Sequence, residues 1–199
     1  MGGRRVSDDV SASPATVLRT LVARAVDADP GSLADRVEVV ERGGEPEIDD
    51  GGERDSRTPV ERLAGLIAEA DGVVAVVPRF DADLARRLND ALAAVPRAVR
   101  VVFTDDAADR LAGATGPIVR RALAERGVDA YRHDGESPVA VVLADERAAV
   151  GLIDGNGAAA LLTTDDPAVR EWAAGTCRRP LDAAAPVPEG CQRRTPVRC

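Results

Sequence analysis

The stretch VAVVLADERAAVGLIDGNGAAALLTTDDPAVREW, Val139–Trp172, decides how this chain folds. Three apolar runs, Val139–Ala144, Ala148–Ile153 and Ala158–Thr163, are long enough for strands and too short for helices. The links between them are Asp145-Glu146-Arg147 and Asp154-Gly155-Asn156-Gly157. Links of that size join antiparallel strands. Gly and Asn supply the positive φ that tight turns require. Asp154–Gly157 therefore reads as a turn, since a calcium-binding EF-hand needs ligands over twelve residues and a closing Glu. Thr164-Asp165-Asp166-Pro167 then announces a helix, with Val169, Trp172 and Ala173 facing the meander.

Upstream, the pattern changes. Ser13-Pro14 opens a helix whose Leu18, Leu21, Val22, Ala25 and Val26 form one apolar stripe. Arg36–Glu41 reads as a short strand, and residues 43–58 as a Gly-rich, charged loop. Thr58-Pro59-Val60-Glu61 is a capping box for a helix that presents Leu63, Leu66, Ile67 and Ala70. The run VVAVVP, residues 73–78, is apolar throughout with four β-branched Val, and predicts a strand buried on both faces. A helix from Asp81 to about Ala94, with Leu84, Leu88, Ala91, Leu92 and Val95 inward, separates it from the strand Val99–Phe103. Thr104-Asp105-Asp106 caps a short helix. Gly116-Pro117 starts another, with Ile118, Val119, Ala122 and Leu123 inward, before the strand Val128–Arg132. Helices alternating with strands imply parallel pairing through crossovers. The expected fold class is therefore α/β: a mixed sheet whose parallel βαβα portion continues into an antiparallel meander, plus a C-terminal helix. The expected organisation is a leader and helix over 1–32, an α/β domain over 33–175, and a flexible basic tail over 176–199.

Composition sets limits on function. The chain has 199 residues, long enough for one cored domain, and a net charge of -8. Every basic residue is Arg, and aromatic residues make up only 2%. Acid excess without Lys suggests a salt-in halophile, or a high-GC bacterium, because acidic surfaces keep proteins soluble and apart. The charge argues against this chain alone gripping nucleic acid. No apolar run approaches a membrane span, and no secretory signal opens the chain, so a cytoplasmic protein is expected. Absent Lys excludes Schiff-base chemistry, lysine-dependent phosphate loops and a standard pyridoxal phosphate site, and no cofactor is expected. Cys177, Cys191 and Cys199 fit no common metal spacing, so they read as free thiols, and no metal site is expected.

Ligands of open α/β sheets gather beyond the carboxyl ends of parallel strands. Those ends supply Arg79, Phe80, Thr104, Asp105, Tyr131, His133 and Asp134 as candidate ligand-binding residues. Arg79 offers a planar fork to a carboxylate or phosphate. His133 is the one side chain with an unperturbed pKa near neutrality. Beside Asp134 it is the candidate general base of a small enzyme, although no nucleophile is in evident constellation with it. The blander alternative pairs Arg79 with Asp81 or Asp83 and leaves Thr104 and Asp105 as helix caps.

Four segments together resemble a known family: RTPVERL at 57–63, VVAVVPRF at 73–80, RVVFTDDAADRL at 100–111, and PVAVVLADERAAVGLIDGNGAAALLTTDDPAVREWA at 138–173. They look like the effector domain of archaeal Fil-type winged-helix transcription regulators, over roughly residues 33–185. The resemblance implies a distantly phospholipase-D-like fold and a non-catalytic domain that senses a small-molecule effector or oligomerises, as a homodimer. Phospholipase D chemistry needs a His and a Lys in an HxK motif. Here Lys is absent and His133 is followed by Asp134-Gly135, which excludes that chemistry. The resemblance also implies that DNA is contacted only through a winged helix. Residues 1–32 are too few for a three-helix DNA reader. The chain thus reads as a stand-alone effector domain, or as part of a regulator whose DNA reader is encoded upstream. The competing classes are a structural or partner-binding module, docking through the basic tail, and a small enzyme built on His133 and Asp134.

Overall fold

The computed structural model describes residues 12–43, 58–79, 85–86 and 98–187. In chain order the elements are α1 Pro14–Ala25, α2 Pro30–Ala34, β1 Glu38–Glu41, α3 Pro59–Glu69, β2 Gly72–Val77 and β3 Ala98–Phe103. They continue with α4 Asp105–Ala112, α5 Gly116–Glu125, β4 Val128–Arg132, β5 Ala140–Ala144, β6 Arg147–Asp154, β7 Gly157–Thr164, α6 Pro167–Ala183 and β8 Ala185–Pro186. The strands form one sheet in the order β1-β7-β6-β5-β2-β3-β4-β8. Pairs β2–β3 and β3–β4 are parallel. The other pairs are antiparallel. The sheet is mixed, as the switch from helix-linked to hairpin-linked strands predicts.

Side chains alternate across the sheet, so each strand feeds two cores. Val76, Val102, Val141, Val150 and Leu162 face one side, where they meet Leu18 and Val22 of α1, Leu33 of α2, and Val169, Ala173 and Cys177 of α6. Val73, Ala75, Val99, Val142 and Leu161 face the other side, against Leu66 and Ile67 of α3. Phe103 packs with Ala107 and Leu111 of α4 in a smaller cluster. Fully burying one such Val or Leu contributes about 1.5–3 kcal/mol. With aromatics nearly absent, the cores are built from many small increments.

Local signals account for the helix starts. The Ser13 side chain accepts from the Thr16 N–H at 3.3 Å, and Pro14 occupies the first helical position. Thr58 and Glu61 exchange side-chain and backbone hydrogen bonds at 3.3 and 2.9 Å, a complete capping box. Asp166 caps α6 by accepting from the N–H groups of Ala168 and Val169.

Segments on both sides of residues 33–175 pack on the sheet. Within residues 12–32, Leu18, Val22 and Ala23 of α1 lie in the larger core. The segment from 176 is not a loose tail at its start. Helix α6 runs on to Ala183 through Pro180, and β8 pairs antiparallel with β4. Burial is the physical reason: Cys177 is 2% exposed inside the core, and Leu181 packs against it. The expected helix from Asp81 to Ala94 falls outside the described residues except for Ala85 and Arg86, which are helical. Cys191 and Cys199 also lie outside them.

Candidate functional site

Strands β2, β3 and β4 are parallel neighbours, and α5, in the connection from β3 to β4, packs its Leu123 on the sheet face that α3 also covers. On that face, between α3 and α5, the chain leaves a cavity of about 380 Å³. Known ligand pockets occupy about 300–1,000 Å³. Val77, Val101 and Val142 belong to its floor, Leu63 of α3 and Leu123 of α5 to its walls, and Ala85 and Arg86 of the first crossover also line it. Apart from Arg79, Arg86 and Arg126, every described lining residue is apolar or glycine. The cavity opens to solvent, and Ile118 on its lining is 72% exposed.

Of the seven residues expected at the ligand site, Arg79 alone among the described ones lines this cavity. Its guanidinium lies 3.7 Å from the exposed carboxylate of Asp106. Asp81 and Asp83, the partners considered from sequence, lie outside the described residues, as does Phe80. Tyr131 packs against the core on the opposite face. Thr104, 2% exposed, does not cap α4; its hydroxyl hydrogen-bonds to Asp105 Oδ2 at 2.8 Å. Asp105 has φ 46° and accepts from the Ser137 N–H at 2.8 Å on the same oxygen. It thereby ties the β4–β5 connection across the end of β3. The Nδ1 atom of His133 accepts from the Gly135 N–H at 2.8 Å, and Asp134 pairs with Arg132 at 2.8 Å. Thr104, Asp105, His133 and Asp134 thus each have at least one partner within the chain.

Arg126 was not singled out from sequence, although a signal was present. Val119, Ala122, Leu123 and Arg126 stand at i, i+3, i+4 and i+7, so the inward stripe of α5 ends on a cation. The structure places all four on the cavity. Among the described residues, no group of three His, Cys, Asp or Glu side chains gathers in a way that holds a metal. No described helix is long and apolar enough to cross a membrane.

The turn that opened the sequence reading closes with Gly157 at φ 102°. Asp154 Oδ1 accepts from the Asn156 N–H at 2.8 Å and from Arg42 at 3.1 Å. Hydrogen bonding to Arg42, then to the Asn156 backbone, holds the Asp154 carboxyl below its ordinary range, and Arg79 adds a smaller electrostatic contribution. The turn is thus a brace for β1 and β7.

Comparison with solved structures shows the fold. Nuc from Salmonella typhimurium, a phospholipase D family member, superposes with a TM-score of 0.53 at 14% identity, over 75% of this chain and 96% of that one. TrmBL2, an archaeal chromatin protein, gives a TM-score of 0.48 at 15% identity over 84% of this chain, which spans 59% of that protein's length. No curated protein matches the sequence. The fold is thus that of a phospholipase-D-like α/β domain, here with an apolar cavity on one sheet face. Residues 57–182 match the model for the middle domain of methanogenesis regulatory protein FilR1. The chain belongs to that family, a regulatory domain of archaeal transcription regulators.

Proposed function

We propose that this chain is the effector domain of a transcription regulator, that it binds a small molecule rather than catalysing a reaction, and that a winged helix carried elsewhere reads the DNA. The observation that carries the proposal is the open apolar cavity between α3 and α5. An effector that fits one arrangement of these helices better than another shifts their equilibrium and so signals to whatever packs beside them. The binding role is supported by the polar groups near the strand ends. His133 Nδ1 is taken by the Gly135 N–H, Asp134 pairs with Arg132, and the chain has no Lys. Regulators that read two half-sites do so as two-fold dimers, so the proposal includes a homodimer. A regulator of transcription works beside the genome, which places it in the cytoplasm. Acid excess and missing Lys support a halophilic host.

The test joins the chain to a winged-helix domain of known operator. Operator occupancy is read by fluorescence anisotropy across fractions of a halophile small-molecule extract. Wild type should respond to at least one fraction, and Ala122→Trp, which fills the cavity from exposed α5, should not. Occupancy indifferent to all fractions overturns the sensing role. A monomer by light scattering at working concentrations removes the dimer.

A further inference from the structure

We infer that the cavity takes an amphipathic anion: a slender acyl or prenyl chain ended by a carboxylate or a phosphate, with the head at Arg126 and the tail running towards Gly151. The inference rests on the sensing role proposed above.

Among the described residues, no hydroxyl, amide or carboxylate side chain lines the cavity, so these residues offer a sugar, a nucleoside or an amino acid few partners. Each would leave buried polar groups without partners, at a cost that apolar contact does not offset. A hydrocarbon makes no such demand.

The chain carries a net -8, yet the three ionised groups among the described residues of this lining are all Arg. A local reversal of sign in an acidic protein favours an anion. The two ends of the cavity differ in how that charge is used. Arg79, just past β2, faces Asp106 at 3.7 Å and lies within electrostatic reach of Asp154. Arg126, at the end of α5 and just before β4, has no side-chain hydrogen bond or ion pair among the described residues. The charge still to be matched is therefore at the Arg126 end.

The shape of the cavity also differs between its ends. Val128, Val99 and Val73 stand side by side at the starts of the three parallel strands, at the Arg126 end. At the other end of the strands the lining turns small: Ala140 is paired with Gly151, and Ala158 follows on β7. A Cβ at Gly151 would meet Ala140 at 3.6 Å and Leu161 at 3.8 Å, so glycine keeps this end open. Along β2 the ends, at Val73 and Val77, lie four rises apart, which is about 13 Å. A cation, an apolar length and a roomy end in that order match a head and a tail.

The test is calorimetric titration in high salt with decanoate and decyl phosphate, and with decanol, acetate and inorganic phosphate as single-feature controls. Decanoate, decyl phosphate or both should saturate one site per chain. The preference between them tells a carboxylate head from a phosphate head. Decanol and the tail-less anions should bind at least tenfold more weakly. Arg126→Ala should weaken the charged ligands about tenfold while leaving decanol unchanged, and Ala122→Trp should abolish binding; both sites are exposed, and circular dichroism confirms folding. Decanol binding as tightly as decanoate, or Arg126→Ala binding like wild type, overturns the inference. So does a decanoate-inert dimer that Ala122→Trp dissociates, because the groove is then covered by a second copy. An extract fraction that acts through the Ala122→Trp-sensitive cavity while both amphiphiles stay inert overturns the ligand class and leaves sensing intact.

Discussion

Asp166 holds two distant parts of the chain with one carboxylate. Its Oδ1 caps α6, while its Oδ2 receives Nη1 of Arg36 at 2.7 Å, across 130 residues of sequence. Thr164 completes the junction, donating its hydroxyl to the Arg36 carbonyl at 2.7 Å and accepting from the Asp166 N–H at 3.0 Å. The connection into β1, the end of β7 and the start of α6 meet at this point.

Asp166→Ala should therefore destabilise the domain by about 2 kcal/mol, the upper part of the range for losing a cap. Asp166→Asn should keep the cap and lose much less. Urea unfolding of both variants at low and high salt checks this. The half-exposed Arg36 pair should fade with salt, while the cap loss should persist. Equal loss in both variants would make the charge, not the cap, the dominant contribution.

Cys177 links the core to alkaline pH. Burial pushes its thiol up to about 12, against a backbone hydrogen bond that lowers it. An unfolded Cys titrates near about 8.5. A raised folded pKa means that stability is complete below the unfolded value and is lost as pH rises towards about 12. In a Cys191→Ser/Cys199→Ser background, stability should fall above pH ~8.5 by up to about 1.4 kcal/mol per unit. Cys177→Ala should flatten that limb. The native thiol should also resist modification until the domain unfolds.

Asp154 acts at the acid end. Its carboxyl is held low chiefly by the hydrogen bonds from Arg42, so its stabilisation is present above the unfolded value of about 3.9. It is lost as pH falls through the lower folded value. Carbon-detected NMR titration should show Asp154 titrating below the other exposed carboxyls. Arg42→Ala should bring it back towards them.

Gly116 and Gly65 predict opposite signs. A Cβ at Gly116 would lie 2.1 Å from the Leu111 carbonyl oxygen, so Gly116→Ala must push α5 away from α4. A cost of about 1–3 kcal/mol is expected, with weaker binding in the cavity that α5 lines. Nothing lies within 4 Å of a Cβ at Gly65 inside α3, so Gly65→Ala should stabilise by about 0.4–1 kcal/mol. Thermal melts of the two variants check both signs.

Much of the fold was written locally. The β-branched run of β2, the acidic and Gly links of the meander, and the Pro and Asp starts of α1, α3 and α6 are short-range signals. Backbone preference and side-chain alternation act over a few residues, so the sequence alone determined these elements, the parallel-to-antiparallel switch and the family resemblance. Composition likewise removed lysine chemistry at once.

Only tertiary structure decided what depends on distant partners. Glu38–Glu41 pairs with Ala160–Thr163, and residues 176–187 join the core because Cys177 and Leu181 find space there. The site followed the same rule. Arg79 was legible because strand ends are a local feature. Tyr131 went to the opposite face, and Arg126 reached the cavity, because the packing of α5 against the sheet set which side each side chain meets. Pairing and burial are energies between residues far apart in sequence, and a local pattern carries no information about which distant surface will meet it.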